Sequence, residues 1–153
     1  MRQINRASLP LALTVLDMAN ILVVEDDEPT GRLVSRILQR AGHAVDLATD
    51  GRAALDLLAE STFDLIVTDI FMPVADGMEL VLSLTRQPDR PRIIAMSGGS
   101  LPARSWSPLG AAKAFGADAV LNKPFLDTEL LAAVNDQIGA AVAAQPQPSP
   151  VAP

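Results

Sequence analysis

The sequence Ile-Leu-Val-Val-Glu-Asp-Asp over residues 21–27 carries the clearest information about the fold. Its four consecutive apolar residues are typical of a short strand that is covered on both faces, as the strands of parallel sheets are. The acidic triplet that follows marks the point where this strand ends. We therefore expect a buried parallel strand with acidic side chains at its carboxyl end.

Similar short apolar runs recur along the chain and alternate with longer amphipathic stretches. The other four runs lie at residues 44–48, 65–67, 92–96 and 119–121. Together they form five strand–helix pairs between residue 20 and about residue 138. Because parallel strands are joined by right-handed helical crossovers, this pattern predicts an α/β protein with an open, doubly wound, five-stranded parallel sheet and helices on both faces.

The stretches between the runs predict helices with recognisable ends. The first spans residues 29–41 and is followed by Gly42 as a C-terminal cap. Its apolar residues at helical spacing are Leu33, Val34, Ile37 and Leu38. Asp50 and Asp76 are interpreted as N-caps of the second and third helices. A fourth, short helix is predicted at residues 109–115 after a long Gly/Ser/Pro-rich connection, and the last begins near Asp127 and runs through Ile138.

The length of 153 residues leaves room for one domain. We predict an N-terminal extension at residues 1–19, with Met18 as an alternative start of translation, and a folded domain at residues 20–139. Residues 140–153, rich in Ala, Pro and Gln, predict a disordered tail. No DNA-binding or enzymatic output domain fits after residue 139, so a stand-alone domain is expected.

Charge and composition exclude several classes of partner. The net charge is −6, and the only lysines are Lys113 and Lys123, which argues against direct DNA binding because phosphate contacts require a basic surface. The chain has no cysteine, as suits a reducing compartment, and its N-terminal apolar run is short for an export signal. These features predict a cytoplasmic protein without a membrane partner.

Polar residues follow four of the five predicted strands and should meet at one edge of the sheet. They are Glu25, Asp26 and Asp27, then Asp69, Ser97 and Lys123. Carboxylates held together repel one another unless a cation neutralises them, and oxygen ligands without His or Cys favour Mg²⁺. A lysine and a hydroxyl in the same pocket would complete a cradle for a phosphoryl group. His43, the only histidine, is interpreted as a structural residue at the surface or an edge.

Four motifs together resemble the receiver domains of two-component response regulators. They are Ile21–Asp27, Asp69-Ile-Phe-Met-Pro73 with Asp76-Gly77, Ser97-Gly98 and Lys123-Pro-Phe125, and they occur in order between residue 20 and about residue 138. The resemblance implies a flavodoxin-like sheet with strand order 2-1-3-4-5. It also implies phosphorelay signalling, in which the domain transfers a phosphoryl group to itself and is not otherwise an enzyme.

The resemblance assigns a role to each matching position. Asp69 would be the phosphoacceptor, with Asp26 as a direct Mg²⁺ ligand and Glu25 as a ligand through water. Asp69 and the backbone carbonyl of Phe71 would supply further metal ligands. Lys123, in a peptide bond to Pro124 that is commonly cis in this family, would pair with Asp69 and then with the phosphoryl group, and Ser97 would move its hydroxyl onto that group.

The expected partners are a histidine kinase or a histidine phosphotransfer protein as phosphodonor, docking on the first helix, and an unidentified target protein. The target or a second copy of the chain would bind through the fourth predicted helix, the fifth strand and the last helix. Three features depart from the family: Val120 replaces a common aromatic residue, the loop after Ser97 is long, and apolar or small residues at Phe71 and Gly99 predict slow self-dephosphorylation.

Two other functions stay open. One is a receiver-like scaffold that binds partners without phosphorylation, which Val120 favours and the complete acid, serine and lysine set opposes. The other is an aspartyl-phosphate phosphatase of the haloacid-dehalogenase type. That family places a second acid two residues after the nucleophile, where this chain has Phe71, and it carries a cap domain for which this chain has no room.

Overall fold

The computed structural model describes residues 18–70, 77–98 and 116–144. The strands are β1 Asn20–Val24, β2 Ala44–Ala48, β3 Leu65–Asp69, β4 Arg92–Gly98 and β5 Ala119–Lys123. The helices within these residues are α1 Glu28–Arg40, α2 Gly51–Glu60, α3 Gly77–Thr85 and α4 Asp127–Ala144. All five strands are parallel and lie in the order β2-β1-β3-β4-β5, which confirms the predicted flavodoxin-like α/β fold.

The sheet has an apolar core on each face, because the central strands are covered on both sides. On one face α1 and α4 pack against strand residues that include Ile21, Val23 and Met96. On the other face α2 and α3 cover Leu22 and Ile66 together with their neighbours. Burying both faces explains why central strands such as β1 are continuous apolar runs rather than alternating ones.

Helix α1 has the ends that its sequence predicts. Asp27 is its N-cap and accepts a hydrogen bond of 3.0 Å from the backbone N–H of Thr30. Gly42 follows the helix with a φ of +97°, a conformation that side chains disfavour. Leu33, which the spacing assigned to the apolar stripe with Val34, is instead 59% exposed. The prediction was wrong at Leu33 because the buried stripe of this helix passes through Gly31 and Ser35 rather than through residue 33.

Two other sequence-based expectations need correction. His43 is buried rather than at the surface, and its Nδ1 accepts a hydrogen bond of 3.2 Å from the backbone N–H of Ala19. Asp69, Ser97 and Lys123 do not follow their strands but lie within the last two residues of β3, β4 and β5. The apolar runs ended earlier than the strands did, because the strand pairing continues through polar residues such as Thr68 and Asp69.

An ion-pair cluster joins β4 and β5 at their amino ends. The Asp118 carboxylate accepts hydrogen bonds from Arg90 at 2.8 and 3.2 Å, from Arg92 at 3.2 Å and from the backbone N–H of Ile93 at 2.9 Å. Burial favours the neutral acid, but these hydrogen bonds and charges outweigh it and lower the pKa of Asp118. The cluster lies at the opposite edge of the sheet from Asp69 and Lys123.

Several predictions fall outside the described residues: residues 1–17 of the predicted extension at 1–19, Phe71, Asp76, Gly99, the helix at residues 109–115 and residues 145–153. Helix α4 continues to Ala144, past the predicted domain end at residue 139. Among the helices that the structure describes, none combines the length and the apolar character needed to span a bilayer.

Candidate functional site

The candidate site forms where three strands end at the carboxyl edge of the sheet. Glu25 comes directly after β1, and its backbone N–H still donates to the carbonyl oxygen of Ala48 on β2, at 3.0 Å. Asp69 and Lys123 are the last residues of β3 and β5. Glu25 is 1% exposed and Asp69 is 7% exposed, so both carboxyl groups lie largely below the surface.

Lys123 contacts both of these carboxylates. Its Nζ donates to Oε2 of Glu25 at 2.6 Å and to Oδ2 of Asp69 at 3.0 Å. The other Glu25 oxygen, Oε1, accepts from the backbone N–H of Asp27 at 3.3 Å. The peptide bond between Lys123 and Pro124 is cis, as the family resemblance implied. One ammonium group therefore connects the ends of three strands.

For both Glu25 and Lys123, burial and the neighbouring charges shift the pKa in opposite directions. Burial raises the pKa of Glu25 and outweighs its hydrogen bond to Lys123, which acts to lower it. Burial also favours the neutral amine of Lys123, but the hydrogen bonds to Glu25 and Asp69 prevail and raise the pKa of Lys123. Lys123 is consequently a firmly protonated cation beside two buried acids.

Asp26 completes an acidic cluster that is suited to a cation. Carboxylate oxygens of Glu25, Asp26 and Asp69 all lie within 4.8 Å of one another, and Asp26 is exposed while the other two are buried. An all-oxygen set that is open on one side suits Mg²⁺, which binds a few carboxylates and keeps several water ligands. The donor set therefore fits the ion that the sequence suggested.

Gly77 allows helix α3 to begin in contact with Asp69. A Cβ atom at residue 77 would lie 1.8 Å from the carbonyl oxygen of Asp69 and 3.1 Å from the Cα of Ile70. No side chain fits at such a distance, so the helix can pack here only because residue 77 is glycine. The sequence marked Gly77 as a helix start, but it gave no sign of this backbone contact.

Ser97 has a partner that the sequence did not reveal. Its hydroxyl donates to Oδ1 of Asn122 at 3.1 Å, and the two residues are register partners on β4 and β5. The strand register, unknown from the sequence, was needed to find this contact. Of the residues named in advance, the structure brings Glu25, Asp26, Asp69 and Lys123 together, while Asp27 caps α1.

The fold and the position of the site define a class of protein. It is the class of doubly wound α/β proteins whose site lies beyond the carboxyl ends of parallel strands. The chain matches the family described as response regulator receiver domain over residues 21–135. It therefore belongs to the receiver domains of two-component response regulators.

Individual relatives agree with this family. The response regulator MprA of Mycolicibacterium vanbaalenii is 39% identical over 112 residues, which cover 73% of this chain and 47% of the relative. The chain thus spans about half the length of the curated relatives it matches.

Solved structures show the same fold. The chemotaxis response regulator CheY4 of Vibrio cholerae is 34% identical with a TM-score of 0.68, covering 78% of this chain and 98% of that one. The receiver domain of the Francisella response regulator 1452 is 28% identical with a TM-score of 0.70, covering 80% of this chain and 98% of that one.

Proposed function

We propose that this receiver domain accepts a phosphoryl group on Asp69 from a phosphohistidine and signals through the resulting change in its surface. The observation that supports this most is the buried Asp69 carboxylate, held 3.0 Å from the Lys123 ammonium and grouped with Glu25 and Asp26. A nucleophilic carboxylate beside a fixed cation is what phosphoryl transfer requires, because the reaction depends mainly on positioning and charge stabilisation.

In the proposed reaction a carboxylate oxygen of Asp69 attacks the phosphorus of the donor's phosphohistidine. A phosphorus–oxygen bond forms while the phosphorus–nitrogen bond breaks, and the bonding electron pair stays on the departing imidazole nitrogen. Lys123 pairs with Asp69 before transfer and then faces the new phosphoryl oxygens, so its charge is never left unpaired. The hydroxyl of Ser97 donates to one of those oxygens after transfer.

Glu25, Asp26 and Asp69 would hold Mg²⁺ for this reaction, joined by the backbone carbonyl of Phe71, which lies outside the described residues. The bound ion would offset the negative charge that the carboxylates and the incoming phosphoryl group bring together. The phosphodonor would be a histidine kinase or a histidine phosphotransfer protein. The target would be a protein rather than DNA or a membrane.

The direct test is reaction with acetyl phosphate, a small phosphodonor, with Mg²⁺ or with EDTA, followed by intact-mass measurement. We expect the wild type to gain one phosphoryl group only when Mg²⁺ is present. The Asp69→Asn variant should gain none. Asp46→Asn is the matched control, because it makes the same chemical change at an exposed aspartate on edge strand β2 and should react like the wild type.

An unmodified wild type would contradict the proposal and favour the phosphorylation-independent scaffold. A phosphoryl group that also appears on Asp69→Asn would contradict the choice of acceptor. Release of inorganic phosphate much faster than the slow self-dephosphorylation expected of this domain would instead indicate the phosphatase activity.

A further inference from the structure

The hydrogen bond between Ser97 and Asn122 lies at the same sheet edge as the proposed phosphoacceptor. Asp69 is the register partner of Met96, so Ser97 is the next residue along β4, and Asn122 faces it from edge strand β5. Residues paired across a sheet project to the same side, which explains why the hydroxyl and the amide meet. Asn122 is exposed and Ser97 is half-buried.

A serine hydroxyl has one hydrogen to donate. In this structure that hydrogen goes to Oδ1 of Asn122 at 3.1 Å. The same hydrogen cannot at the same time be donated to a phosphoryl oxygen on Asp69. The two hydrogen bonds are therefore mutually exclusive, and one must break before the other forms.

We propose that Asn122 is a positioning residue that holds the Ser97 hydroxyl in its resting orientation and thereby opposes the switch that phosphorylation of Asp69 sets off. This inference rests on the proposed function, since it presupposes a phosphoryl group at Asp69. Among the hydrogen bonds between described residues, Asn122 contacts Ser97 and contacts neither Asp69 nor Lys123, so the proposed role runs through Ser97.

The expected effect is modest because the bond is exposed to water. Removing it should tighten binding of a phosphoryl analogue about two- to fivefold, which corresponds to ~0.4–1 kcal/mol and is the usual net value of such a hydrogen bond. This gain in affinity should disappear when Ser97 is replaced by alanine.

The test is a double-mutant cycle with beryllium trifluoride and Mg²⁺, which together mimic a phosphoryl group on aspartate. Affinity is measured by NMR titration for the wild type, Asn122→Ala, Ser97→Ala and the double variant. We expect Asn122→Ala to bind about two- to fivefold more tightly than the wild type, and the double variant to bind like Ser97→Ala. Asp46→Ala, which shortens an exposed polar side chain on the opposite edge strand, should bind like the wild type.

A second measurement needs neither the analogue nor the metal. The side-chain amide signals of Asn122 in the wild type should shift in Ser97→Ala, because the amide loses its hydroxyl partner. Unchanged signals, unchanged affinity of Asn122→Ala, or an equal gain in the Ser97→Ala background would each overturn the role of Asn122. Failure of the wild type itself to bind the analogue would overturn the proposed function and this inference together.

Discussion

The Lys123 ammonium lies 3.0 Å from Oδ2 of Asp69 even though strand β4 separates the strands that carry them. Lys123 reaches across the sheet edge and also pairs with Glu25, at 2.6 Å. A single cation thus compensates two buried carboxylates. Removing it would take away the positive charge that both buried acids contact, which is costlier than losing a surface ion pair.

Lys123→Met, which keeps the length of the side chain but removes the charge, should lower the free energy of unfolding. We expect a loss of about 2 kcal/mol at pH 7 in EDTA, less than the cost at a fully buried pair because the lysine side chain is partly exposed. Mg²⁺ should restore part of the loss, since a bound cation compensates the same carboxylates. Urea unfolding with EDTA or Mg²⁺ measures both effects.

The control for this variant is Arg36→Met, which removes an exposed positive charge from α1. It should change stability by less than about 0.5 kcal/mol. Equal stability of the two variants in EDTA would show that Lys123 does not compensate the buried acids.

Gly77→Ala should lower both the stability of the fold and the reactivity of the site. The added methyl group would lie 1.8 Å from the carbonyl oxygen of Asp69, so either α3 or the end of β3 must move. We expect a loss of about 1–3 kcal/mol of stability, typical of overpacking, and slower phosphorylation by acetyl phosphate.

Gly139→Ala is the matched control, because residue 139 lies in α4 and a Cβ atom there would contact none of the described residues beyond its own helix turns. It should leave phosphorylation unchanged and raise stability by up to about 1 kcal/mol, the difference in helix propensity. Similar losses in both variants would contradict the contact between Gly77 and Asp69.

Asp118 should make the domain more stable at neutral pH than in acid. Its pKa is lowered in the folded state, because the hydrogen bonds from Arg90 and the Ile93 backbone and the charges of Arg90 and Arg92 together outweigh burial. Folding therefore favours the ionised form of Asp118. The stability that this form contributes is fully present above the unfolded-state pKa of about 4, and it is lost as the pH falls through the lower pKa of the folded state.

Asp118→Asn should lower the free energy of unfolding by about 1–2 kcal/mol at pH 7, an amount that the partial exposure of the arginines keeps small. The loss should become smaller as the pH approaches 3. Unfolding by urea at several pH values measures this difference. The same substitution in an Arg90→Met background should have a smaller effect at pH 7. A difference between wild type and Asp118→Asn that grows toward pH 3 would contradict the sign of the pKa shift.

The fold could be predicted because its signals are local. Continuous apolar runs such as residues 21–24 identify buried parallel strands, and Asp50 and Gly42 mark helix ends through bonding within a few residues. Once five parallel strands are inferred, topology alone brings Glu25, Asp69 and Lys123 to one edge.

The features that the sequence did not reveal depend on register or on close packing between distant segments. The bond of Ser97 to Asn122 requires the exact pairing of β4 with β5, and the contact of Gly77 with Asp69 requires the position of α3. His43 followed a turn and resembled a surface residue, yet it is buried and accepts a hydrogen bond from the backbone N–H of Ala19. A residue's own neighbours in sequence carry no information on such contacts.

The last prediction concerns docking of the phosphodonor on α1. Leu33 is 59% exposed on this helix, which begins three residues after Glu25 and so lies next to the site. An exposed leucine beside the acceptor can pack against a partner protein but has no role with a small phosphodonor.

Leu33→Glu should therefore slow phosphoryl transfer about fivefold or more when the donor is a phosphorylated histidine kinase that reacts with the wild type. This is the effect of losing ~1 kcal/mol at an interface. Reaction with acetyl phosphate should stay unchanged. Leu55→Glu is the matched control, since Leu55 is 41% exposed but lies on α2, which covers the other face of the sheet. Equal slowing by both variants, or slowing with acetyl phosphate as well, would show that α1 is not the docking surface.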